Sequence, residues 1–353
     1  MSGWQQYLPV GELVFNDPSG TFDSAFNVTD GAPVTISVGM SQQAAQQYNF
    51  RVLKPGIDTI LTGTQVRLVL YWDNPMYWGQ TINASFNGNS SDVLTAIAAS
   101  TGLRYQIDTT NDQQVWIPGN ARYCQFAAFT AKAGWVDASS LMLLGVTLTN
   151  ELRYKNVGAY TYRNAFKVKL DQLTSTGGYL PAVSWEQHSV SGYQNFKGAY
   201  HQAQQNQSLM ATDGIKETLT TVQKQRMAQY LSMNKDVKQL LDAGRKMHYT
   251  TIDVGNTHPN YHAAMYQNTR LQRTMVNRTS FVTMIGSGID LFDQMDVELF
   301  RPPTGKLSTG QLDINGNYFV IGKTIHVGPQ AIYCEKFSLV RDSHNISPVQ
   351  SDV

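Results

Sequence analysis

The clearest alternation of apolar and polar positions lies between Phe281 and Arg341, and its period is that of a β-strand. Phe281, Thr283 and Ile285 alternate with Val282 and Met284 up to the break Gly286-Ser287-Gly288. After Ile289-Asp290, a second strand carries Val297 and Leu299 on one face and Asp296 and Glu298 on the other. Pro302-Pro303-Thr304-Gly305 ends it, because proline cannot donate to a ladder. Asn315-Gly316-Asn317 is tight-turn chemistry and opens a third strand, Tyr318 to Val327. Gly328-Pro329 turns the chain into a fourth, Ile332 to Arg341. There Ile332, Cys334, Lys336, Ser338 and Val340 face one way, and Tyr333, Glu335, Phe337 and Leu339 the other. Alternation bounded by turns predicts an antiparallel sheet.

An earlier stretch echoes this one. Phe50-Arg51-Val52-Leu53-Lys54-Pro55-Gly56-Ile57-Asp58 leads through Leu61-Thr62-Gly63-Thr64 to Val66-Arg67-Leu68. In both places a strand opens with Phe, a glycine introduces Ile-Asp, and a Val-x-Leu strand follows. The paired positions are Phe50, Gly56, Ile57, Asp58, Val66 and Leu68 against Phe281, Gly288, Ile289, Asp290, Val297 and Leu299. Two readings stand: unrelated meanders that share turn chemistry, or two copies of one small barrel.

Between them the pattern changes twice. Residues 1–40 are turn-rich and end in a strand, Pro33 to Val38; Gln65 to Trp72 extends that sheet. From residue 90 the period becomes helical. Ser90-Ser91-Asp92 starts a helix with Val93, Leu94, Ile97 and Ala98 as its buried stripe and Gly102 past its end. A strand, Leu103 to Ile107, follows. Asn120 opens a second helix, Ala121 to Ala133, closed by Gly134, and Trp135-Val136-Asp137 leaves as a strand. Leu141 to Leu148 and Leu152 to Tyr154 complete a small α+β unit. Phe166, Val168 and Leu170 then alternate with Lys167, Lys169 and Asp171. The long helical region is 201–250, with the stripe Ile215, Leu219, Val222, Val237, Leu240 and Leu241. The fold class is thus mainly β with an α+β insertion: two tube-like antiparallel barrels, a small α+β domain and a helical insertion. The first barrel spans 1–85 and is completed by about 156–185. The insertion domain is 86–155. The second barrel is 186–345, with the helical insertion at about 205–250, and 346–353 is a tail.

Composition narrows the function. The chain has 353 residues, 42% hydrophobic but only 15% charged, with a net charge of +1. Typical globular chains carry about 25% charged residues. A surface poor in charge suits faces that meet other subunits. The near-zero net charge gives no case for a nucleic-acid site or a membrane surface. No window approaches ~18 uninterrupted apolar residues. Cys124 and Cys334 lie far apart in apolar stretches and read as small hydrophobes. His258 and His262 have the i, i+4 spacing of a helical metal site, but Pro259 interrupts the helix and no Glu sits between them. Asp290 with Asp293, and Asp108 with Asp112, fall in turn-rich stretches and read as capping residues. Arg163, Lys167 and Lys169 make a mild basic strand face. No nucleophile elbow, phosphate loop or dinucleotide fingerprint is present, so no catalytic, cofactor-binding or metal residue is expected and the chain is read as no enzyme.

The order of parts carries a resemblance. A β-domain precedes an α+β insertion containing Asp92-Val93-Leu94-Thr95-Ala96-Ile97-Ala98 and then Arg122 through Ala133-Gly134-Trp135. The last sheet ends in Gly322-Lys323-Thr324-Ile325-His326-Val327 and Phe337-Ser338-Leu339-Val340-Arg341. This set resembles the baseplate hub family of contractile-tailed phages, the late-control-protein-D class, and the N-terminal part of VgrG proteins. The resemblance implies a structural homotrimer in a virion tail baseplate, made in the host cytoplasm. Its ring of six barrels would join the six-fold tail tube protein to the three-fold central spike, with tape measure and baseplate wedge proteins as further neighbours. No cofactor, membrane or specific nucleic-acid partner is implied. In VgrG-like proteins the spike follows the hub on the same chain; here only residues 342–353 follow Arg341, so a separate spike protein is expected. A different class remains open: a carbohydrate-binding or carbohydrate-active β protein, suggested by 18 Tyr, 6 Trp and low charge. Paired carboxylates would be required if it were hydrolytic.

Overall fold

The computed structural model describes residues 2–3, 8–22, 28–39, 45–60, 63–137, 140–161, 164–169, 179–181, 184–190, 277–283, 286–298, 316–328 and 333–341. The helical region expected at 201–250, the His258/His262 pair, the 302–305 insertion and the tail lie outside the described residues. The architecture is mainly β, built on two curled sheets.

After β1 (Ser2–Gly3), which pairs elsewhere, the first sheet contains β2 (Val10–Asp17), β3 (Pro33–Val38), β4 (Gln46–Ile60) and β5 (Gly63–Trp72). All neighbours are antiparallel, in the order β2-β5-β4-β3. The period-two pattern decides which face is buried. Phe50, Val52, Val66, Leu68 and Leu70 point inward and are buried, while an Arg67–Glu12 ion pair and a Thr35–Asn49 hydrogen bond of 3.1 Å lie outside. A short helix, α1 (Pro75–Gly79), is capped by the Asn74 side chain, which accepts from Tyr77 N.

The α+β unit comprises β6 (Phe86–Gly88), α2 (Ser90–Ser100), β7 (Arg104–Ile107), β8 (Gln114–Trp116), α3 (Tyr123–Ala133), β9 (Met142–Val146) and β10 (Glu151–Asn156). The expected stripe of α2 is buried throughout, at Val93, Leu94, Ile97 and Ala98. Asp92 accepts from Asn89 N at 3.0 Å, fixing the helix start. Two expectations shift. The second helix begins at Tyr123, because Asn120 takes φ 63° and Ala121 N closes a turn on Pro118 O. Trp135 does not begin a strand; its N–H donates instead to Asp112 Oδ2 at 2.9 Å. Asp112 also accepts from Ser90 N at 2.8 Å, and Asp108 from Asn156 N at 2.8 Å. Each member of this pair is thus held by a backbone donor.

The run Leu141-Met142-Leu143-Leu144 has no polar face because β9 is covered on both sides. Met142, Leu144 and Val146 join the core beneath α2 and α3, whereas Leu141 and Leu143 pack with Phe319 and Val340 of the far sheet. That sheet contains β11 (Phe166–Lys169), β12 (Tyr179–Pro181), β13 (Ser184–Val190), β14 (Asn277–Thr283), β15 (Gln294–Glu298), β16 (Gly316–Val327) and β17 (Tyr333–Arg341). Its order is β12-β11-β15-β16-β17-β14-β13, with β1 paired to β16. Within 156–185, expected to complete the first barrel, the described strands β11 and β12 pair in this sheet. β11 runs parallel to β15, seating Val168 against Met295 and Val297 and setting Lys167 opposite Asp296 and Lys169 opposite Glu298. The alternation of Phe166 to Lys169 is real, but alternation does not name the neighbour. On β17 the alternation places Glu335, Phe337 and Leu339 on one buried face, while Val340 of the other face is buried as well. Among the described residues no helix is long and apolar enough to cross a membrane.

Candidate functional site: a charged seam between three units

The residues that echo one another in sequence occupy different settings. Phe50, Gly56, Ile57 and Asp58 lie on one continuous strand, β4, and pair with Trp72, Arg67, Val66 and Gln65 of β5. Val66 and Leu68 are on that same β5 and are buried. Phe281 is in β14 and Val297 in β15, strands separated in the sheet by β17 and β16. Gly288, Ile289 and Asp290 lie in the irregular segment between those strands, and Leu299 is outside the described residues. The cause is local. Gly288 takes φ 73°, and Asp290 N donates to Asp293 Oδ2 at 2.7 Å. Together they fold the chain out of the ladder where the first stretch runs straight on. Ile57 and Ile289 therefore do not sit on matching elements.

That folded segment, 286–293, is the centre of a seam where all three units meet. Leu291 and Phe292 project onto β9 beside Gly145. A Cβ built at Gly145 would lie 2.9 Å from Leu291 Cδ1 and 3.1 Å from Phe292 Cζ. The glycine is there because the two side chains fill its space. Phe292 N donates to Val320 O at 2.8 Å, Val320 N to Asp293 O at 3.0 Å, and the Tyr160 hydroxyl to Phe292 O. Gly145→Ala is expected to lower stability by about 1–3 kcal/mol through overpacking. Gly79→Ala, where nothing lies within 4 Å, serves as the near-neutral control. Urea unfolding of the two variants checks this, and equal midpoints would contradict it.

Charges clamp the segment from both sides. From β10, Arg153 Nη1 donates to Leu291 O at 2.8 Å and to Asp293 Oδ1 at 3.0 Å, while its Nε donates to Glu151 Oε2 at 2.7 Å. From β16, Lys323 Nζ donates to Ile289 O at 2.8 Å and pairs with Glu335 Oε1 at 3.0 Å. The second oxygen of Glu335 accepts from Ser287 N at 2.9 Å and Ser287 Oγ at 2.7 Å. From the first sheet comes Tyr48, whose hydroxyl is pushed up to about 12, chiefly by burial and then by Glu335 and Asp290. Burial raises both Asp290 and Asp293 above the ordinary carboxylate range, against the pull of Arg153. Burial acts on Glu335 too, but Lys323 and the Ser287 donors outweigh it and hold this carboxyl below its usual range. Glu335 therefore contributes stability that is full above its unfolded value and is lost as pH falls through its lower folded value.

Chemically the seam binds parts of one chain together. Its carboxylates are spent on backbone N–H groups, hydroxyls and cations of the same chain. The sequence did not single out Arg153, Lys323, Glu335, Gly145 or Tyr48. One signal existed: Glu335 shares an alternating face with Phe337 and Leu339, and a charge on a core face needs a buried partner. Cys124 and Cys334 are both half-buried, and burial pushes the Cys124 thiol up.

No family model matches the sequence, and no curated protein matches it. Among solved structures, the 43 kDa tail protein of prophage MuSo2 from Shewanella oneidensis is similar. The likeness covers 97% of this chain and 91% of that one at 11% identity, with a TM-score of 0.51. A tail protein from Neisseria meningitidis MC58 aligns over 97% of this chain and 90% of its own, at 8% identity and a TM-score of 0.47. What this chain shares with the MuSo2 protein is its mainly β fold, over nearly the whole length of both.

Proposed function

We propose that this chain is a structural baseplate hub of a contractile phage tail. Three copies form a ring that joins the six-fold tail tube to the three-fold central spike, with tape measure and wedge proteins beside it. The observation that carries the reading is the end-to-end fold likeness to a prophage tail protein. Two curled sheets fastened to one α+β unit by a buried seam suit a part that transmits force rather than turns over substrate. The role is non-catalytic, because the buried carboxylates at the seam are engaged in holding the segment 286–293. Sedimentation of the purified chain is expected to give a trimer, or a monomer that assembles only with tail partners. In a density map of the tail tip the chain should form a ring between tube and spike, with a spike joint in the obligate size range of ~2,000 Å² or more. A ring-free tail tip, or peptidoglycan hydrolysis abolished by a single Asp or Glu substitution, would overturn the reading.

A further inference from the structure

The segment 286–293 holds two costs at once. Phe292 is a buried, non-glycine residue at φ 66°, a conformation that persists only when the surroundings impose it. Asp290 is 7% exposed, and its Oδ1 accepts from the adjacent Leu291 N at 2.8 Å. Among the described residues it makes no ion pair, since both nearby cations are engaged elsewhere. Arg153 is held by Asp293 and Glu151, and Lys323 by Glu335. Among the described residues the seam thus sets Glu151, Asp290, Asp293 and Glu335 against Arg153 and Lys323. A buried carboxylate in that position is eased by one proton.

We propose that segment 286–293 is a proton-linked latch: a proton held on Asp290 fastens the α+β unit to the second sheet, and its loss to solvent loosens that joint. The groups facing Asp290 are Arg153 from β10, Lys323 from β16, Tyr48 from β4, Glu335 from β17 across Lys323, and Asp293 from its own turn. Tyr48 stays neutral and Glu335 stays ionised through mild acid, given the directions of their shifts. Asp290 and Asp293 are the pair that changes, and their raised values fix the sign. The closed latch binds the proton more tightly than the open one. Closing is therefore favoured as pH falls through the raised value and weakened above it. Mild acid tightens this joint, opposite to the usual effect of acid on a buried ion pair. The latch does not depend on the chain's place in a tail.

Amide hydrogen exchange on the full chain tests it, after correction for the pH dependence of intrinsic exchange. Opening of residues 287–293 and Val320 is expected to fall, by at most about tenfold per pH unit, as pH is lowered from neutrality toward the ordinary carboxylate range, while the β16–β17 ladder keeps its protection. Asp290→Asn, which mimics the protonated form, is expected to show the low-pH protection at neutral pH and to lose the slope. Opening that grows as pH falls, or exchange of 287–293 only together with the β16–β17 ladder, would overturn the latch. So would an unchanged slope in Asp290→Asn. The wild-type slope decides by itself if that variant does not fold.

Discussion

Lys323→Ala is expected to lower the unfolding free energy by about 3–5 kcal/mol. The reason is what remains. Lys323 and Glu335 side chains are 10% and 2% exposed, so the deletion takes the ammonium away from a buried carboxylate that Ser287 also holds. It also removes the donor to Ile289 O and the ammonium 5.5 Å from the Phe337 ring centre. The double variant Lys323→Met with Glu335→Leu removes both charges and keeps the volume. It is expected to lie within about 2 kcal/mol of the wild type, because the desolvation cost disappears along with the attraction. It should also lose the acid-side fall in stability that Glu335 contributes. Denaturant titrations at neutral and acid pH measure all of this. A single variant costing under about 1 kcal/mol would mean that water reaches the pair.

How far the sequence reaches is visible in particular residues. Strand and helix faces were legible because burial is periodic: Val93, Leu94, Ile97 and Ala98, and Phe337 with Leu339, sit where the pattern puts them. Mates were not legible. Val168 alternates correctly, yet nothing in 166–169 says that its partner is β15, more than a hundred residues on, and not the first sheet. The Gly-Ile-Asp echo does not fix a common setting, for a related reason. Tripeptides specify a turn tendency, but Asp293, outside the repeat, decides that the second copy folds back into a plug. The seam was hidden because its members are scattered: Tyr48, Arg153, Asp290, Lys323 and Glu335 meet only when three units close. The steric glycines were hidden as well, since the side chains that need their space are remote in sequence.

The clearest such glycine yields the second large effect. Gly134 follows α3 with φ −62° and ψ 135°, which any residue adopts, so conformation does not require a glycine there. Space does. A Cβ at that position would lie 1.7 Å from the Tyr154 hydroxyl oxygen and 3.0 Å from Tyr154 Cζ. Tyr154 is fully buried on β10 and its hydroxyl donates to Ala131 O at 3.2 Å, tying the end of α3 to the sheet. Burial pushes this hydroxyl far above its ordinary range, so it stays a donor at any working pH. Gly134→Ala is expected to cost about 3 kcal/mol, at the top of the overpacking range, because neither the helix end nor a buried ring gives way easily. Tyr154→Phe alone is expected to cost about 1 kcal/mol, through the lost bond, since Ala131 O keeps the Gly134 N–H donor at 3.4 Å. Combined, the two should cost at least about 1 kcal/mol less than their sum, since the Phe ring removes the atom that clashes. Rescue should be incomplete, because Cζ remains too near. Thermal or urea unfolding of the four proteins in this cycle measures the coupling. Strict additivity would mean that Gly134 is required for some reason other than the hydroxyl of Tyr154.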